Sequence, residues 1–140
     1  MINGAAADGG TPTSVLICDD NDAIRTLLGT VVAEDPGLRV VGEAADGNEA
    51  IVEAIALQPD VILLDLAMPK RSGLEALPEL RRVAPDARIV VLSGFASANV
   101  AEEVLALGAT SYVEKGADPA AIVAAIRNAV AAPSLTTPSA

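Results

Sequence analysis

The 140-residue chain has no histidine and no tryptophan, one cysteine, Cys18, and two aromatic rings, Phe95 and Tyr112. Without histidine there is no imidazole metal ligand, no Ser/His or Cys/His catalytic pair and no phosphohistidine on this chain. A single cysteine allows no internal disulfide, which fits a reducing compartment. Because it lies inside an apolar run, Cys18 reads as a small core residue and not as a nucleophile. Basic residues are scarce, 9 Lys and Arg against 19 Asp and Glu, for a formal charge of −10. That balance argues against binding of nucleic acid phosphates or anionic lipid by this chain. No segment approaches the roughly 20 apolar residues that span a bilayer, and the N-terminus lacks the basic-then-apolar order of a signal peptide. The expectation is a cytoplasmic protein with an aliphatic core.

What is present is a regular alternation. Residues 1–14, rich in Gly, Ala, Thr and Pro, read as a flexible tail, residues 15–131 as one domain, and residues 132–140 as a second tail or the start of a linker. Short apolar runs without polar alternation mark strands buried on both faces, as in a parallel sheet covered by helices. Val15-Leu16-Ile17-Cys18, Val61-Ile62-Leu63-Leu64 and Ile89-Val90-Val91-Leu92 have that character. Arg39 to Glu43 is a weaker pattern suited to an edge, and Thr110 to Val113 is a fifth strand.

Helical signals fill the gaps. Asn21 or Asp22 caps a helix with Ile24, Leu27, Leu28, Val31 and Val32 on its inner stripe, stopped by Pro36-Gly37. Asp46, with Glu49 three residues on, opens a second helix that buries Ile51, Ile55 and Val52. Ser72 and Glu75 have capping-box spacing before a third, with Leu74, Leu77 and Leu80 inward. Pro78 inside it predicts a kink or a late start. A fourth helix runs from about Ser97 to Leu107 and closes at Gly108. Asp118-Pro119 opens a fifth, with Ile122, Ile126 and Val130 as its buried stripe. Five strands alternating with five helices predict an α/β fold, a single doubly wound (βα)5 domain with right-handed crossovers and helices on both faces.

If all strands are parallel, their C-terminal residues meet at one edge, where ligands bind in open α/β sheets. Those residues are Asp19 and Asp20, Asp65, Ser93 and Lys115. Singly, each has an ordinary explanation as a helix cap, a turn residue or a surface lysine. Together, three carboxylates in one crevice repel, so that one pKa rises or a cation is required. A carboxylate-rich site without imidazole or thiolate suits Mg²⁺ or Mn²⁺. A carboxylate nucleophile, a divalent ion, a lysine and a hydroxyl are the parts of a phosphoryl-transfer site.

These residues resemble the receiver domain of two-component response regulators from about Val15 to Val130. The likeness rests on Asp19-Asp20, on Asp65 followed by Met68-Pro69 and Gly73, on Ser93-Gly94, and on Tyr112 with Lys115-Gly116. It implies a flavodoxin-like sheet in the order 2-1-3-4-5. It implies that Asp65 accepts a phosphoryl group from a sensor histidine kinase or phosphotransfer protein, in a Mg²⁺-dependent reaction. By the same resemblance Asp20, Asp65 and the backbone carbonyl of Ala67 hold the metal, while Asp19 acts through water. Ser93 and Lys115 bind phosphoryl oxygens, and Tyr112 is a switch aromatic. A homodimer through the fourth helix, fifth strand and fifth helix is compatible with it.

The sequence departs from the common pattern in three places: Gly116 replaces a proline that is often cis, Ala67 offers no side-chain amide, and Phe95 stands two residues past Ser93. The last two flank the path of attacking water and leave the phosphoryl lifetime open. Two other readings compete. One is a Mg²⁺-dependent phosphohydrolase working through an aspartyl phosphate, which typically needs a second carboxylate where Ala67 stands. The other is a receiver-like interaction module that no longer takes phosphate, against which the presence of all five side chains weighs.

Overall fold

The computed structural model describes residues 11–94 and 98–131. Of the tails expected over 1–14 and 132–140, residues 1–10 and 132–140 lie outside the described residues, as do Phe95 and the expected helix start at Ser97. Strands β1 (Thr13–Cys18), β2 (Leu38–Ala44), β3 (Val61–Asp65), β4 (Arg88–Ser93) and β5 (Ser111–Glu114) alternate with helices α1 (Asp22–Ala33), α2 (Gly47–Leu57), α3 (Gly73–Val83), α4 (Ala98–Ala106) and α5 (Pro119–Ala131). All pairings are parallel, and the order is β2-β1-β3-β4-β5. This is the predicted flavodoxin-like fold, with the weakly patterned β2 at an edge.

Side chains of a strand point alternately to the two faces, so each buried strand feeds two cores. Leu16, Cys18, Ile62, Leu64, Ile89 and Val91 pack with Ala50, Ile51, Leu77, Leu80 and Val104, which belong to α2, α3 and α4. Val15, Ile17, Val61, Leu63, Val90 and Leu92 pack with Leu28, Val32, Ile122 and Ile126, which belong to α1 and α5. Every residue of β3 is buried, as its unbroken aliphatic run requires.

Three of the predicted caps form. Asn21 Oδ1 accepts from Ile24 N at 3.1 Å, and Asp46 Oδ1 accepts from Glu49 N at 2.9 Å. Glu49 returns to Ala45 N, one residue before the cap. Ser72 and Glu75 make the full reciprocal box. α3 starts at Gly73 and continues through Pro78, so the late start is not observed. The pyrrolidine ring sits on the exposed side of the helix, where water can serve the carbonyl its missing N–H leaves open.

Three buried stripes are rotated from expectation. Leu27 on α1 is exposed, as are Val52 and Ile55 on α2 and Val130 on α5. On α2 the inner face is Gly47, Ala50, Ile51 and Ala54, and on α5 Ala129 takes the place expected for Val130. Small residues let a helix lie close to the sheet, and that close approach decides the buried face more than side-chain size does. β1 also begins two residues earlier than expected, because Thr13 N donates to Gly37 O at 2.8 Å.

Candidate functional site

The C-terminal edge of the sheet gathers the charged residues. Asp19 follows the last residue of β1, and its backbone N–H donates to Ala44 O at 2.9 Å, tying it to β2. Its Oδ1 accepts from Asn21 N at 2.9 Å. Asp65 ends β3, and its Oδ1 accepts from Ala67 N at 3.3 Å. Both carboxylates are buried. Lys115 follows β5, its backbone N–H donating to Ser93 O at 2.8 Å. Its Nζ lies 2.8 Å from Asp19 Oδ2 and 3.2 Å from Asp65 Oδ2, between the two buried acids.

Asp20 completes the cluster from the solvent side. One carboxylate oxygen from each of Asp19, Asp20 and Asp65 lies within 4.8 Å of the others. Ser93 is buried at the end of β4, where its neighbour Leu92 sits opposite Asp65 in the parallel register. Tyr112 on β5 sits opposite Val91 and packs, partly buried, against the α2–α4 side of the sheet. Ser93 and Val91 have the same strand parity, so Ser93 and Tyr112 share that side. Ala67 stands in the exposed loop after β3, its amide turned to Asp65.

The electrostatics follow from this crowding. Burial, reinforced by Asp19, pushes the Asp65 carboxyl above the usual carboxylate range, against the opposing pull of Lys115. Burial works against the Lys115 charge, but attraction by Asp19 and Asp65 outweighs it and raises that pKa. The thiol of Cys18 is pushed up by burial and by Asp19, which keeps it a protonated core residue as expected.

The loops that frame the crevice explain the motif glycine. Gly73 N donates to Leu66 O at 2.9 Å, and a Cβ on Gly73 would lie 2.1 Å from Asp65 O. Only glycine lets the start of α3 fold back on the strand end that carries Asp65. Gly47 N donates to Arg71 O at 2.7 Å, and Lys70, at φ 64°, reaches to 3.8 Å from Asp46 Oδ2. The β2–α2 and β3–α3 loops are thereby joined at the rim. Sequence reasoning passed over Arg25, which donates to the Asp19 carbonyl at 2.6 Å. Its partner is a backbone oxygen, and such partners leave no trace in residue spacing.

Comparison with known proteins gives this edge its family. The family model of the response regulator receiver domain matches residues 15–127. The chain belongs to that family. Response regulator GacA of Pseudomonas viridiflava is 41% identical over 113 residues, which are 81% of this chain and 53% of the relative. The chain spans about half the length of the curated relatives it matches. Among solved structures, the response regulator domain of CheB from Thermotoga maritima is 31% identical with a TM-score of 0.80, covering 87% of this chain and 98% of that one. A response regulator from Burkholderia pseudomallei, solved with a phosphorylated aspartic acid, a calcium ion and citrate, is 32% identical with a TM-score of 0.76. That match covers 85% of this chain and 69% of the other.

In this receiver domain of a two-component regulator, the donor set fits a hard divalent cation. Asp19 Oδ2 and Asp65 Oδ2 are buried, and among the described residues their partner is the Lys115 ammonium alone. Three carboxylates against one ammonium leave an excess of two negative charges, which a divalent ion would offset. All donors are oxygens, the preference of Mg²⁺, Mn²⁺ and Ca²⁺. No described helix is long and apolar enough to cross a membrane.

Proposed function

We propose that this receiver domain takes a phosphoryl group on Asp65 from a sensor histidine kinase or phosphotransfer protein, in a reaction dependent on Mg²⁺ or Mn²⁺. The observation that carries the reading is the convergence of Asp19, Asp20 and Asp65 within 4.8 Å, with the Lys115 ammonium between the two buried acids. An Asp65 carboxylate oxygen attacks phosphorus, the bond from phosphorus to the donor nitrogen or oxygen breaks, and the leaving group takes up a proton. Asp19, Asp20 and Asp65, with the Ala67 carbonyl, would hold the cation, which neutralises charge on the phosphoryl oxygens when bound. Lys115 moves from its two carboxylates to a phosphoryl oxygen, and Ser93 donates its hydroxyl to another.

Those new bonds favour one arrangement of the surface formed by α4, β5 and α5, where Leu105 and Val130 are left exposed. Moving a population from 1:99 to 99:1 takes about 5.5 kcal/mol of differential stabilisation. Two or three charge-assisted bonds of about 1.5–3 kcal/mol each supply it. Tyr112 is the side chain that follows Ser93, since both face the same side of the sheet. The shifted surface serves a partner or a second copy of the domain. Turnover as a phosphohydrolase is disfavoured, because Ala67 provides no acid or base beside the nucleophile.

The test is incubation with Mg²⁺ and acetyl phosphate. An acid-stable, base-labile adduct that is lost in Asp65→Asn and in EDTA supports the reading. Sustained hydrolysis of a phosphomonoester would instead favour the enzyme.

A further inference from the structure

Arg25 lies in the second turn of α1 with its side chain only 15% exposed, and its guanidinium serves three partners at once. Nε donates to Glu43 Oε1 at 3.0 Å, near the end of β2. One terminal nitrogen donates to the Asp19 carbonyl oxygen at 2.6 Å, and the other pairs with Asp22. Asp22 is almost fully exposed and Glu43 about half so, which makes the Asp19 carbonyl the sheltered contact of the three.

That carbonyl belongs to the peptide unit joining Asp19 to Asp20. Because the unit is planar, holding its oxygen restricts the orientation of the peptide plane, and with it the backbone from which both carboxylates project. The preceding peptide is already held, since the Asp19 N–H donates to Ala44 O. Without Arg25 the Asp19–Asp20 peptide keeps the bond from Asn21 N to Asp19 Oδ1 but loses the side-chain donor on its carbonyl. A divalent cation needs its ligands aimed at one point, and outer partners that orient such ligands commonly change affinity by about 10- to 100-fold when removed.

We propose that Arg25, braced by Glu43, is a positioning residue for the Asp19–Asp20 carboxylate pair, and that divalent-cation affinity depends on it. This rests on the divalent-cation reading of the site. The role requires the planar fork of arginine, because a lysine at this place keeps the charge but cannot hold a carboxylate and a carbonyl in fixed relation.

The experiment is Mn²⁺ titration of the 140-residue chain by electron paramagnetic resonance, comparing wild type with R25M, R25K and E43Q. R25M and R25K are each expected to raise the Kd about tenfold, with a smaller rise in E43Q. The Mg²⁺ concentration giving half the maximal rate of acetyl phosphate uptake rises in parallel, whereas the rate at saturating Mg²⁺ stays near wild type. A residue that merely stabilised the fold would lower the melting temperature and leave both concentrations unmoved. Folded R25M with wild-type Mn²⁺ affinity overturns the role of Arg25 alone. If R25M does not fold, E43Q decides in the same way. Wild-type protein that binds no Mn²⁺ overturns the divalent-site reading and this inference with it.

Discussion

Asp65, the proposed phosphoryl acceptor, carries a cost to the fold when ionised. Its folded-state pKa lies above the ordinary 3.8, so between those two values the folded protein retains a proton that the unfolded chain has released. Stability from this group therefore falls as pH rises through that window and stays lower above it. Lys115 has the same direction of pH dependence in a higher window: its contribution is fully present below the ordinary 10.5 and is lost as pH climbs through its raised folded value. In EDTA at pH 7, Asp65→Asn is expected to raise the melting temperature by a few degrees, and near pH 3 to change it little. Calorimetry at the two pH values checks both expectations; a lower melting temperature at pH 7 would show that the Asp65 charge stabilises the fold. The clustered residues were legible because each is a polar residue at, or one or two places past, the end of a strand-forming run. Arg25 was not, because what it binds is a carbonyl.

The elements place these residues, and glycine and alanine set the tolerances. Gly73→Ala puts a Cβ against the Asp65 carbonyl and is expected to destabilise by about 1–3 kcal/mol while displacing Asp65. A urea midpoint shift together with slower acetyl phosphate uptake would show both effects; an unchanged midpoint would contradict the close packing at Gly73. The strands, caps and stops were readable from short-range rules: aliphatic runs, Asx and Ser caps, and Gly108 at positive φ. The helix faces were less so. Counting large aliphatics put Ile55 and Val130 inside, whereas Ala50, Ala54 and Ala129 hold those places. Accordingly Ile55→Ala should change stability by no more than about 0.5 kcal/mol, and Leu77→Ala should cost about 2–5 kcal/mol. Equal losses from the two by chemical denaturation would mean that the face of α2 is misassigned.

At the scale of the whole molecule, a doubly wound sheet turns residues scattered from Asp19 to Lys115 into neighbours, because parallel strands all end at one edge. The strand order was carried by the family resemblance, since periodicity alone does not say which strand lies beside which. Of the chain's formal charge of −10, two negative charges remain at that edge after Lys115 is counted against Asp19, Asp20 and Asp65. The two cores on either side hold the strands that carry the site, and the exposed Asp20 gives it an opening to solvent. The most direct measurement is intact-protein mass spectrometry after incubation with Mg²⁺ and acetyl phosphate. The expected result is a single added phosphoryl group that maps to Asp65, survives acid, is lost in base, and is absent in EDTA. No adduct with Mg²⁺ present, or one that persists in Asp65→Asn, would contradict Asp65 as the phosphoryl acceptor.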